Sequence, residues 1–377
     1  MSTASKSPER VIKTAYLVGQ LALPDYAHLF SPKKFTQPQL FACLALKEFL
    51  QLDYRKLAAL LADCSDLRAA IELAVVPHFS TFQKAAQRLL RVPLAEALLD
   101  KTVRLAVFQG RVKATVPLAA GDGTGWESHH VSHYYVKRRA SASKYWQKTT
   151  YARFPKAGIL CDCASHVILA IVPGRGPGPD IKHFRGLLDG GLRRARIATV
   201  ALDAGYDSEH THEYARNQRG VRTLIPPLIG RRTDKAPRGY WRRQMAQRLH
   251  LTRYGQRWQV ETVNSMLKRL MGSALRARDY WSQCRETILR AITLNIMILR
   301  RRQVFYRACF TRLLCGRAAA LPIVLDSREM AKGFDDKCRA LFRWQLLDCP
   351  TEQGDLLASV GAFTPRREVA SKHPADN

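Results

Sequence analysis

Residues 199–225 read TVALDAGYDSEHTHEYARNQRGVRTLI. Thr199 to Leu202 is a short apolar run that ends on Asp203, and Gly205 follows, which frees the backbone to turn. Ser208 to Asn217 reads as a helix, and Thr223 to Ile225 as a second strand. Upstream, Lys113 to Ala120 reads as a buried strand. Ile159–Asp162 and His166–Val172 read as two more, joined by a turn. A Gly/Pro-rich loop, Gly174–Pro179, precedes a short helix over Ile181–Leu188. Downstream lie a basic stretch and long helices at about 254–270 and 284–302.

Three strands, helix, strand, helix, strand, helix is the order of a ribonuclease-H-like fold, so residues 111–302 are expected to form an α/β domain of that kind. Residues 1–110 are expected to be helical: Leu40, Leu44 and Leu46 to Leu50, then Tyr54, Leu57, Leu60 and Leu61, recur at three and four spacing. Thr36-x-x-Gln39 and Ser80-x-x-Gln83 have the form of capping boxes. The region suits either a helix-turn-helix-like DNA-binding unit or a plain bundle for dimer contacts. Residues 303–377 remain an unassigned tail.

Charge separates these regions. The chain of 377 residues carries a formal +30, of which +5 falls in residues 1–110, +23 in 111–302 and +2 in 303–377. Such an excess repels itself unless a polyanion shares the surface, and nucleic acid is the first candidate. A membrane partner is not expected: the longest uncharged run in the most apolar helix, Ala291 to Leu299, is far short of the ~20 residues a span needs. The opening MSTASKSPERVIK has no apolar signal core. The nine cysteines have no regular spacing and read as reduced thiols of a cytoplasmic protein. Cys161 and Cys163 lack a second ligand pair for zinc and read as buried strand residues.

In a domain so poor in acids, each carboxylate invites a question. Asp122 is read as ending the first central strand, in Gly121-Asp122-Gly123-Thr124-Gly125, and Asp203 as ending the later one. Both then point into a cleft. On the helix from 254, Tyr254, Arg257, Glu261 and Lys268 share a stripe, which is also what an ordinary solvated Arg–Glu pair would give. Asp180 and Asp207 read as helix caps.

These motifs together resemble the DDE transposases of bacterial insertion sequences, in the group whose glutamate helix carries Tyr-x2-Arg-x3-Glu-x6-Lys. The signature is matched at Tyr254, Arg257, Glu261 and Lys268, with an Asp-Gly-Thr box at Asp122–Thr124 and an Asp-x-Gly-Tyr-Asp strand end at Asp203–Asp207. The resemblance covers about residues 30–302. It implies cut-and-paste chemistry on transposon ends and joining of their 3′-hydroxyls to target DNA, by a nucleoid-associated enzyme working as a homodimer on double-stranded DNA. It also implies a catalytic and metal-holding triad of Asp122, Asp203 and Glu261. Two Mg²⁺ or Mn²⁺ ions ~3.5–4 Å apart would hold nucleophile and leaving oxygen. Asp122 would bridge them, and Asp203 and Glu261 would each hold one. Tyr254, Arg257 and Lys268 would grip the DNA backbone beside the site.

Some relatives carry a large β-rich insertion before the glutamate. Here 57 residues separate Asp203 from Glu261, and Pro226 to Arg253 is a basic insert with eight Lys/Arg against Asp234 alone. Tyr134 to Lys156 has seven Lys/Arg, six aromatics and no acid, which suits phosphate contact and base stacking. Lys137, Arg138, Arg139, Lys144 and Lys148 are its DNA-binding candidates. His129, His130 and His133 in the same segment have no cysteine near and read as no metal site. Two rival readings stay open: a catalytically inactive DNA-binding remnant, and another ribonuclease-H-like nuclease.

Overall fold

Five strands lie side by side in the order β5-β4-β2-β7-β8: β2 Ala119–Gly125, β4 Phe154–Asp162, β5 Ile168–Gly176, β7 Thr199–Leu202 and β8 Arg222–Leu224. β4 is antiparallel to β2 and β5, while β7 runs parallel to both β2 and β8. The computed structural model describes residues 4–128, 154–228 and 236–299. The tail 303–377 and the basic segment with His129, His130, His133, Lys137, Arg138, Arg139, Lys144 and Lys148 lie outside them. Short pairs complete the strands: β1 Thr115–Val116 with β6 Arg196–Ile197, and β3 Glu127–Ser128 with β9 Ala274–Leu275.

Six helices precede the sheet: α1 Pro8–Ala22, α2 Gln37–Phe49, α3 Tyr54–Asp63, α4 Ser65–Ala69, α5 Phe79–Leu89 and α6 Val92–Phe108. The box at Thr36 and Gln39 is formed with both reciprocal hydrogen bonds. The second box is not. His78 caps α5, its ring accepting from the Ser80 backbone N–H, so the helix starts one residue before Ser80.

Within the domain follow α7 Phe184–Leu192, α8 Glu209–Glu213, α9 Tyr240–Arg248, α10 Trp258–Met271 and α11 Tyr280–Ile298. α7 packs on one face of β4 and β5, where Gly158 and Gly191 make room for Leu187 and Leu160. α10 and α11 pack on the sheet as well, and α11 also meets α2 and α6. One apolar core therefore runs from Val11 and Phe41 through Ile159 and Ile168 to Ile292 and Leu299. Asn295 secures the join. Its amide accepts from the Ile168 N–H at 2.8 Å and donates to the Ile168 carbonyl at 2.9 Å and to Thr102 at 3.0 Å. It thereby satisfies the backbone of the edge strand β5, whose unpaired groups would otherwise be buried without partners.

Several element limits differ from the sequence reading. β2 does not stop at Asp122 but runs to Gly125, because β4 keeps pairing with it through Gly125↔Lys156. Its parallel partner β7 stops earlier, at Gly121↔Leu202. Half of the expected Gly174–Pro179 loop is strand, since Gly174 to Gly176 pair with β4. The helix expected from 254 begins as a 3₁₀ turn, Arg253–Arg257, and becomes α-helical only at Trp258. Thr199–Leu202 forms the strand read from the sequence.

Candidate active site

Asp122 sits at the residue where β2 loses its parallel neighbour. Gly121 is the last residue of β2 paired with β7, opposite Leu202, so Asp122 is the next residue of β2 and Asp203 the first residue after β7. Asp122 is half-buried and Asp203 exposed. Burial pushes the Asp122 carboxyl up to about 6, with the negative charges of Asp180 and Asp203 adding to the shift and Arg257 opposing it.

α10 closes over this point. Asn264 donates from Nδ2 to Asp122 Oδ2 at 3.4 Å. Glu261 lies one turn earlier on the same helix face. Its carboxylate accepts from Arg257 Nη2 at 2.5 Å, and its side chain is 56% exposed. Arg257 also meets the Tyr254 hydroxyl and feels the charge of Asp122. Tyr254 and Arg257 are within electrostatic reach of Asp122, whereas the Glu261 carboxylate is turned to Arg257, and the four residues do not form one continuous helical row. The 3₁₀ turn carries the first two, and Tyr254 packs against Leu118, Ala201, Leu224 and Met245. Lys268 lies on the Glu261 face of α10 two turns on, partly buried.

Two residues read as caps do other work. Asp180 opens a 3₁₀ turn, Asp180–His183, without capping it. Its carboxylate instead pairs with Lys156 Nζ at 2.8 Å, beside Gly123. Asp207 leaves the capping of α8 to Ser208, whose side chain accepts from Thr211 N. The Asp207 carboxylate is fully buried and receives Arg242 Nη2 at 2.7 Å, Arg242 Nε at 2.9 Å and the Leu228 N–H at 2.7 Å. Burial pushes this acid up, but His212, 3.8 Å away, and the Arg242 hydrogen bonds outweigh it and hold it down to about 2. Glu209 accepts the Trp241 and Arg242 backbone N–H groups, closing the N-terminus of α9. The basic insert is thus fastened to the end of β7 through two carboxylates.

Three residues that the sequence reading did not assign to the site act on it: Asn264 by its hydrogen bond, Asp180 and Tyr206 within electrostatic reach. Tyr206 is 1% exposed, its hydroxyl has no hydrogen-bond partner among the described residues, and burial with the charges of Asp180, Asp122 and Asp203 pushes it up. A signal existed for two of them. Asn264 is three residues past Glu261 on one helix face, and Asp180 is an acid in an acid-poor domain.

Among the described residues the donors here are oxygens, the type that suits a hard divalent cation: the Asp122 and Asp203 carboxylates and the buried Tyr206 hydroxyl. Among the described residues, no three His, Cys, Asp or Glu side chains stand close enough to hold an ion as they are. Glu261 is turned to Arg257 and Asp180 to Lys156. Cys161, fully buried in β4, and Cys163 are free thiols. No helix among the described residues is long and apolar enough to cross a membrane.

Residues 117–296 match a protein family described as the transposase DDE domain. The match runs from β2 into α11. It supports a place among the DDE transposases and a transposase function in general, with DNA as substrate.

Proposed function

We propose that the chain is a DNA transposase of the insertion-sequence type, which cuts transposon ends and joins the freed 3′-hydroxyls to target DNA. Its sheet then serves as a ribonuclease-H-like catalytic core. The observation that carries the reading is the meeting of Asp122 and Asp203 at one strand edge, with the Glu261 turn of α10 laid over it. Asp122, Asp203 and Glu261 would hold Mg²⁺ or Mn²⁺. Bound there, the ions supply Lewis-acid stabilisation of the attacking and leaving oxygens.

The chain's own residues then divide the remaining work. Asn264 orients the Asp122 carboxylate. Arg257 neutralises Glu261 until a stronger cation competes, and its planar fork suits a phosphate once the glutamate is engaged. Tyr254 and Lys268 would contact the DNA backbone beside it, and Lys137, Arg138, Arg139, Lys144 and Lys148 would add phosphate contacts. The helical region 1–110 would recognise DNA ends or the second copy of a homodimer.

The test is cleavage of duplexes that span each junction of the element carrying the gene, with Mg²⁺ or Mn²⁺. Strand cutting at the junctions by the wild type, and none by Asp122→Ala, Asp203→Ala or Glu261→Ala at equal DNA binding, is expected. Binding without cutting by the wild type would identify an inactive remnant. Cutting of an RNA–DNA hybrid in preference would identify a different nuclease on this fold.

A further inference from the structure

We propose that the loop between α1 and α2 is a wedge that inserts Leu29 and Phe30 between base steps of duplex DNA. This rests on the reading above that DNA is the substrate, and on nothing about the cation site. Pro24 to Phe35 joins the two helices. At its tip the Ser31 N–H donates to the His28 carbonyl at 3.0 Å and the His28 N–H to Ser31 Oγ at 3.1 Å. Leu29 and Phe30 are therefore the two central residues of a tight turn. They are 90% and 92% exposed, the highest values of any large apolar side chain among the described residues.

Single exposed apolar residues need no explanation, but two held side by side at the tip of a built loop do. The loop is fastened at its base. Gln37 donates its backbone N–H to the Asp25 carbonyl at 2.8 Å and its side-chain amide to the Pro24 carbonyl at 3.0 Å. Across the loop, the Tyr26 hydroxyl reaches the Lys33 carbonyl at 3.5 Å. Beneath it α1 and α2 meet closely: a methyl group on Gly19 would come within 2.9 Å of Pro38 Cα. Compact loops with joined ends hold their shape and are often functional.

Charge and area select the occupant. His28, Lys33 and Lys34 are exposed on the same loop, and among the described residues neither lysine pairs with a carboxylate; Lys34 lies over the Phe35 ring instead, 5.6 Å from its centroid. A second copy of a chain that carries +30 would bring like charge to this tip. It would also find little to hold: the two side chains together offer roughly 300–400 Å², against the ~800 Å² a side of a stable interface. DNA needs no wide apolar contact. Architectural proteins kink duplexes with apolar wedges, Phe and Leu among them, pushed between base steps while cations hold the phosphates. The ordinary alternatives are a solvated loop tip and a small contact between copies.

Base unstacking separates them. The probe is a set of duplexes spanning a junction of the element carrying the gene, each with 2-aminopurine at a different position, whose fluorescence rises when the base leaves the stack. The full-length chain is added in EDTA, so that no strand is cut. The wild type is expected to bind and to raise the fluorescence at one step. Leu29→Ser combined with Phe30→Ser is expected to abolish the rise and weaken binding about 10-fold, the scale of one buried apolar side chain, with melting temperature and oligomeric mass unchanged. Phe30→Leu is expected to keep the rise, because a wedge needs apolar bulk. Lys33→Ala combined with Lys34→Ala should lower the salt slope of binding by about 2, and an unchanged slope means that the loop does not touch DNA. Wild-type binding with no rise at any position, or an equal rise in the double serine variant, overturns the wedge and leaves the DNA reading standing. A changed oligomeric mass in that variant with the rise intact identifies a contact between copies and overturns it as well. Failure of the wild type to bind any duplex removes the DNA reading itself, and the wedge with it.

Discussion

Asp122 carries opposing demands at the scale of one residue. In the proposed function its charge would serve a cation, yet burial and two neighbouring acids hold its carboxyl up to about 6. A carboxyl raised in the folded state costs stability when ionised; the cost is full above about pH 6 and gone below the ordinary value of 3.8. Asp122→Asn should therefore melt a few degrees higher than the wild type at pH 7.5 in EDTA, and level with it near pH 3.5, while strand cutting is lost. A lower melting point at pH 7.5 would show that the carboxylate is stabilised as it stands. Arg257 is the second case. Because it meets Tyr254, Glu261 and the field of Asp122 at once, a point charge cannot replace its fork. Arg257→Lys should cut single-turnover rates by about 10-fold or more, on the order of one positioned charge-assisted bond, with melting almost unchanged. Lys268→Arg should be mild. Normal cutting by Arg257→Lys would leave the pair as an exposed helix contact.

Among the elements, α9 depends on the end of β7 for its place. Its N-terminus is closed by Glu209 at Gly239, where the backbone has φ +100° and an added Cβ would meet the Glu209 carboxylate at 2.1 Å. Its Arg242 is tied to the buried Asp207. A depressed carboxyl stabilises the fold above the ordinary 3.8, and this is lost as pH falls through about 2. The shift corresponds to about 2 kcal/mol. Wild-type stability should fall by that order between pH 4 and pH 2, and Asp207→Asn should be less stable at pH 7 yet lack that part of the acid loss. Equal acid sensitivity in the two proteins, measured by urea unfolding, would show that the ion pair does not anchor α9.

Taken as a whole, the molecule places a net +23 on residues 111–302. Binding to DNA should weaken by ~0.9 log unit per log unit of salt for each phosphate contacted. Replacing Lys137, Arg138 and Arg139 together with Ala should lower that slope by about 2 to 3, and an unchanged slope would mean that the segment does not touch DNA. Because helices α1, α2 and α6 share one core with α11 and β5, a shortened chain beginning at residue 111 would expose Ile292, Ile296 and the Thr102 face of Asn295. Such a truncation is expected to aggregate rather than to bind DNA as an isolated domain, which size-exclusion chromatography would check.

The amino-acid sequence alone determined the local pieces. Thr36 with Gln39 closes α2 because a capping box depends only on neighbours along the chain, and the apolar run before Asp203 and Gly205 marks the strand Thr199–Leu202 by its local pattern. The three motifs around Asp122, Asp203 and Glu261 are legible for the same reason. Only the tertiary structure decided how they meet. Asp122 lies inside β2 rather than at its tip, because β4 continues as a partner after β7 has ended, and strand length is set by the partner. Asp207 is a buried anchor because Arg242, 35 residues away, returns to it. Asp180 and Tyr206 come within electrostatic reach of Asp122 through folding alone, which no periodicity along the chain records.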